Sequence, residues 1–190
     1  MSSLSVRTLS GLPEYNNAIV VQSGHKLIIP GTPTNIVQAV KTDSETISPA
    51  AATGAPTTSN TYGVTNLSLT ITPASASSRF LLMTDLHYSA PGSTPGWVFF
   101  RGTSPIGIGD AANNRRRSTA GTGLQVDTNQ ISGQGHMTFI DSPATTAAIT
   151  YSVRFWSDNT NIIYINRSQN DSDGSTGIRT ISTLTVMELL

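Results

Sequence analysis

Three runs in the last third of the chain alternate apolar and polar residues: Ile149-Thr-Tyr-Ser-Val-Arg-Phe155, Ile162-Ile-Tyr-Ile165 and Ile178-Arg-Thr-Ile-Ser-Thr-Leu-Thr-Val-Met187. A period of two sends one set of side chains into a core and the other toward water, so each run predicts a half-buried strand. Together they predict an antiparallel meander ending on a C-terminal strand. Residues 166–177 hold no core-forming side chain and read as a long wet loop before that strand. The pattern recurs upstream. Residues 36–40, 67–72, 79–88, 97–101 and 135–141 read as strands, and 106–108 as a short apolar interruption of a loop. Pro73-Ala-Ser-Ala-Ser-Ser78 and Pro91-Gly-Ser-Thr-Pro-Gly96 read as turns. No run of about ten residues has helical periodicity. About eight antiparallel strands in two sheets is the jelly-roll count. The expected fold is therefore all-β, an antiparallel β-sandwich of jelly-roll type over residues 35–190.

Residues 1–34 read as an extended β arm. Spaced apolar positions precede the turn at Gly11-Leu-Pro13, and short strands at 18–21 and 27–29 follow. Strands so short and so few build no core of their own. Leu4, Val6, Ile19, Val21, Leu27 and Ile29 must then be buried against the domain or between copies, which makes them the expected anchoring and trimer contacts. Closed symmetric assembly is the usual solution, and the expectation is a homotrimer.

Composition narrows the function. Charged residues make up 12% and cancel to zero, so no long-range field draws the protein to nucleic acid or to an anionic membrane. Ser and Thr number 24 and 27, or 51 of 190. They suit turns and strands, while 37% hydrophobic content is enough for a core and argues against disorder. Cysteine is absent, which excludes disulfides and thiolate metal sites. No stretch approaches the roughly 18 apolar residues of a membrane span, and the N-terminus lacks the apolar run of a secretion signal. The expectation is a protein made in a cytoplasm, with no membrane partner.

Candidate chemistry is sparse. Arg115, Arg116 and Arg117 form the only charge cluster, suited to gripping an anion or a neighbouring subunit, or else a solvated loop tip. His25, His87 and His136 lie on different segments, the latter two with Asp85 and Asp141 nearby in sequence. Imidazole and carboxylate suit a metal or an acid–base pair, but the spacing matches no ligand motif, and structural histidines are expected. Asn170-Asp-Ser-Asp-Gly174 suggests calcium, yet the only later acid is Glu188, inside a strand, so a polar hairpin loop is expected. Gly107-Ile-Gly109 has no helix after it to complete a phosphate fingerprint. Trp97, Phe99, Phe100, Trp156 and Tyr164 are expected mainly in the core, with sugar stacking the alternative. No Gly-x-Ser-x-Gly elbow accompanies the serines and no readable carboxylate pair is present, so no enzyme, metal or cofactor is expected.

Several segments resemble a group of small structural proteins of tailed bacteriophages: Leu4-Ser-Val-Arg-Thr-Leu9, Val20-Val-Gln-Ser-Gly-His-Lys-Leu-Ile-Ile-Pro-Gly31, Ile36-Val-Gln-Ala-Val-Lys-Thr-Asp43 through Leu67-Ser-Leu-Thr-Ile-Thr-Pro73, Arg101-Gly-Thr-Ser-Pro-Ile-Gly-Ile-Gly-Asp110, Phe139-Ile-Asp-Ser-Pro143, Tyr164-Ile-Asn-Arg-Ser168 and Ser182-Thr-Leu-Thr-Val-Met-Glu188. The resemblance covers most of the chain. It implies a virion protein with an anchoring arm and an outward-facing β domain, contacting major capsid or tail proteins. Related modules occur in tail fibres, head fibres and capsid decoration proteins, with no catalytic residues to carry over. One arm and one domain without a long shaft favour a capsid decoration (cement) protein or short fibre. The alternative is a tail-fibre adhesin that binds a receptor or host surface glycan through the Trp97 region or the 166–177 loop.

Overall fold

The alternating runs fold as strands, and their pairing is that of a two-stranded ribbon rolled up on itself. The computed structural model describes residues 32–49, 51–121, 133–175 and 177–190. Their elements are β1 (Pro33–Lys41), β2 (Glu45–Ile47), β3 (Tyr62–Ile71), β4 (Arg79–Ser89), β5 (Gly96–Arg101), β6 (Ser104–Ile106), β7 (Ala120–Gly121), β8 (Gly133–Asp141), β9 (Ile149–Trp156), β10 (Ile163–Ile165) and β11 (Ser182–Leu189). Residues 1–31 of the arm, with Leu4, Val6, Ile19, Val21, Leu27, Ile29 and His25, lie outside the described residues, and Pro33 and Thr34 already belong to β1.

Among the longer strands, the first pairs with the last (β1 with β11) and the next inward pair likewise (β3 with β9). β4 then pairs with β8, and β5 with the short β6 and β7. Rolling this ribbon adds β11 to β4 and β9 to β5. Two antiparallel sheets result. Sheet one runs β1-β11-β4-β8, with β10 and β2 continuing beyond β11 along the same edge of β4. Sheet two runs β3-β9-β5-β6, with β7 also on β5. This nesting of strand pairs is the double Greek key of a jelly roll.

The predicted meander is not formed. β9 lies inside sheet two, whereas β10 and β11 belong to sheet one. Alternation decides which face a side chain takes; it does not decide which strand lies alongside. The last strand also starts at Ser182, four residues later than the 178–187 run suggests, and Ile178 and Ile181 are exposed in the preceding loop.

The core lies between the sheets. Val37, Val186, Leu82 and Phe139 are in register across sheet one and point inward. They meet Ile149, Tyr151, Val153 and Phe155, every second residue of β9. Burying each such side chain contributes about 1.5–3 kcal/mol. At one end Tyr88, Trp97 and Phe155 pack with ring centroids 5.0–5.7 Å apart. Gly135 makes this possible, because a Cβ there would collide with the Trp97 indole. In β3 the inward positions Val64 and Leu67 are three apart, since a bulge with Asn66 at φ 64° resets the alternation.

Candidate functional site

The outer face of sheet one carries side chains in transverse rows, because directly paired residues share a face. One row is Ile36, Met187, Leu81 and Ile140 across β1, β11, β4 and β8. It is apolar from edge to edge, and Ile36 and Ile140 are 58% and 48% exposed. The next row is Gln38, Thr185, Met83 and Thr138, and the one after it Val40, Thr183, Asp85 and His136. The face is hydroxyl-rich, with Asp85 and the exposed Arg79 of β4 among its charged positions.

Sheet two is covered where it is apolar outward. Val98, Phe100 and Trp156 point away from the main core and form a second cluster with Ala52 and Ile108. The arginine triplet belongs to this cover. The Arg116 guanidinium sits 5.9 Å from the Trp156 ring centroid and donates to Thr94 Oγ1 at 2.8 Å. Arg117 donates from Nε to the Gly109 carbonyl at 2.6 Å and from its backbone to Gly54 at 2.9 Å. Arg115 alone is exposed. Burial pulls the Arg116 guanidinium below its ordinary pKa, and Asp158 opposes the shift. Two of the three arginines thus fasten a loop over the sheet, and the solvated tip is Arg115. Arg154 adds to the same face, 5.2 Å over Phe100 and donating to Thr61 Oγ1 at 2.6 Å.

The topology brings His87, His136 and Asp85 together on the outer face of sheet one. His136 Nδ1 and His87 Nε2 lie 3.5 and 3.7 Å from Asp85 Oδ1, longer than good hydrogen bonds. Among the described residues no group of three His, Asp or Glu side chains is arranged to hold a metal ion. Asp141 is not part of this group. It faces inward, taking contacts of 2.9 and 3.0 Å from Arg101 Nη1 and a 2.7 Å hydrogen bond from the Tyr151 hydroxyl. Burial, then the bond to Asp141, pushes the Tyr151 phenol well above its ordinary pKa.

In the 170–174 loop, Asp171 is ion-paired to Arg179 and lies 3.7 Å from Arg167, so its carboxylate is already engaged by cations. Trp97, Phe99, Phe100 and Trp156 are buried, while Tyr164 is half-buried with the Arg167 guanidinium 4.3 Å from its ring centroid.

Sequence reasoning missed three buried polar groups. Asn166, in the loop read as wet, is fully buried at φ 58° and donates to the carbonyls of Lys41 and Asp43 at 2.9 and 3.0 Å. It also accepts from Ser182 Oγ at 2.7 Å. Lys41 is buried against Asp43 at 2.9 Å and Glu45 at 3.2 Å. Glu188 accepts from the Ala74 backbone at 2.6 Å and Ser78 Oγ at 2.7 Å, closing the β3–β4 turn. The available signal was a polar residue at an inward position of a strand, or just past its end.

No protein-family model matches the chain, and no curated protein matches it. A solved structure of infectious bursal disease virus, Gx strain, is similar to it with a TM-score of 0.37 and 11% sequence identity. The match covers 91% of this chain and 41% of the viral chain. The jelly-roll assignment rests on the strand pairing.

Proposed function

We propose that this protein is a structural subunit on the surface of a tailed-bacteriophage virion: a homotrimeric capsid decoration (cement) protein or short fibre. It is held by major capsid or tail proteins and has no enzymatic activity. The observation that carries the reading is the apolar row Ile36, Met187, Leu81 and Ile140, whose two ends remain about half exposed on the outer face of sheet one. A large exposed apolar patch marks a contact surface. Four strands about 4.8 Å apart, with about eight residues each at ~3.3 Å, give a face of roughly 500 Å². A stable association covers about 800 Å² on each partner. The face alone falls short, and this reading assigns the remainder to the arm's apolar residues Leu4, Val6, Ile19, Val21, Leu27 and Ile29.

Light scattering of the full-length protein at micromolar concentration is expected to give the mass of three chains. Removing residues 1–31 is expected to leave a folded β protein that no longer trimerises or binds its particle. A full-length monomer or dimer would refute the trimer, and normal decoration by the truncated protein would refute the anchor. Particles lacking the protein should release their genome at lower temperature, because a cement protein binds the assembled state and stabilises it by linkage. Unchanged heat resistance with lost adsorption would mark a host-binding adhesin instead.

A further inference from the structure

The geometry points to a second site, unrelated to the apolar face: a groove at one tip of the sandwich that binds a neutral saccharide. The groove, of about 480 Å³, lies between the β4–β5 loop and the residues that follow β9, with Gly92, Thr160, Asn161, Ile162, Tyr164 and Gln169 among its walls. Its two rims are fastened together before any ligand arrives. The Gly92 carbonyl accepts from both Asn159 Nδ2 and Asn161 Nδ2 at 2.8 Å, and the buried Ser93 and Ser157 hydroxyls are 2.5 Å apart. Thr94 N donates to Asp158 Oδ1 at 3.0 Å. Gly92 suits this turn because its φ of 68° is a backbone conformation that other side chains rarely adopt. Rims held in this way lose little conformational freedom on binding.

The unused groups define the ligand. Gln169 Oε1 is buried with no hydrogen-bond partner among the described residues. An acceptor left so costs about 1–3 kcal/mol, and a turn of the Gln169 side chain into the groove it lines lets a ligand's donor recover it. The hydroxyls of Thr160 and Tyr164 have no hydrogen-bond partner among the described residues either. Ile162, 39% exposed, adds an apolar wall. The walls carry no charged side chain, since Arg167 is spent on the Tyr164 ring, Thr46 Oγ1 and the backbone carbonyls of Ser168 and Gln169. Hydroxyl donors beside an apolar face, without charge, are the chemistry of an uncharged sugar; a phosphate or sialic acid would find no cation.

The test uses the full-length protein with three probes: maltotriose, chitotriose and, as anionic control, 3′-sialyllactose. Backbone-amide NMR titration into the millimolar range should show saturable shifts at residues 91–92 and 160–169 with at least one neutral probe. Gln169→Ala should weaken binding about tenfold, and Thr160→Ala by less. Both variants should keep the wild-type spectrum elsewhere and the same solution mass, which separates failure of the groove from failure of the assembly reading. The proposal is overturned by any of three results: no neutral probe binds, the shifts map elsewhere, or 3′-sialyllactose binds more tightly than the neutral sugars. Binding that survives Gln169→Ala unchanged would overturn it as well.

Discussion

Replacing Asp141 by Ala tests how the two sheets are held together. The carboxylate sits on β8 in sheet one, 6% exposed, while Arg101 and Tyr151 reach it from β5 and β9 of sheet two. Truncation leaves the Tyr151 hydroxyl, inside a side chain with no solvent exposure, without an acceptor. A hydrogen bond to a charged group is worth about 1.5–3 kcal/mol. Breaking a fully buried ion pair costs about 3–5 kcal/mol, but the Arg101 side chain is 35% exposed and recovers part of its hydration. The expected net loss is about 3–4 kcal/mol, a large share of the 5–15 kcal/mol that holds an ordinary domain. For a chain of this size each kcal/mol lowers Tm by about 2–4 °C, so a fall of roughly 10 °C is expected. Urea denaturation of Asp141→Ala, Tyr151→Phe and the double variant measures it. Because both changes remove the same bond, the double variant should lose clearly less than the sum. A loss below about 1 kcal/mol for Asp141→Ala, or strict additivity, would refute the clamp.

Tyr151 also makes an alkaline prediction. Folding raises the phenol's pKa above its ordinary 10.0, so its stabilisation is complete below that pH and declines as pH rises through it. Denaturation midpoints should fall above about pH 10 in the wild type and less steeply in Tyr151→Phe. Arg116→Ala should cost about 1–2 kcal/mol by loss of its contacts to Thr94 and Trp156. Arg115→Ala should stay within about 0.5 kcal/mol, and equal effects by denaturation would contradict the different placements of the two side chains. Asn166→Ala should cost about 3 kcal/mol, since three hydrogen bonds and a left-handed backbone meet at one residue. Asn166→Gly, which keeps the backbone freedom, should lose less, and the ratio of the two denaturation midpoints checks it.

The strands were legible wherever alternation ran unbroken, as in 79–88, 135–141 and 149–155. It failed where backbone geometry interrupted the period. Asn66 puts a bulge into β3, so its first half, with the inward Val64, carried no pattern that a period of two could detect. The three-residue β2 is shorter than any periodic window, and pairing with β10, itself legible as the 162–165 run, is what makes it a strand. Partner choice was illegible throughout the last third, because nothing in the residues of β9 says that β5 and β3, rather than β10, will lie beside it. The candidate site was legible only as residue types. The arginine triplet stood out as charge, yet its role depends on Trp156, forty residues away and turned outward by the register of β9 on β5. Asn166 and Glu188 gave only a weak signal, since a polar residue just past a strand or at an inward strand position reads the same whether it meets water or a buried amide.

The two sheets treat outward apolar residues in opposite ways. Val98, Phe100 and Trp156 on sheet two are roofed by Ala52, Ile108 and the guanidinium groups of Arg116 and Arg154. A chain that spends two loops and two arginines on that cover has the means to hide a comparable row elsewhere. On sheet one Ile36 and Ile140 remain about half exposed, and no described loop crosses them. At ~25 cal/mol per Å² an uncovered row of this length forgoes several kcal/mol that burial would contribute. Under the assembly proposed above, contact with another chain or with the protein's own arm would recover it. The saccharide groove lies at the tip, bounded by loops that the apolar rows do not reach. An Ile140→Asp substitution should therefore weaken assembly and leave sugar binding intact, with Gln169→Ala doing the reverse. Light scattering and NMR titration of the same two proteins measure both, and loss of both functions in either variant would show that the surfaces are not separate.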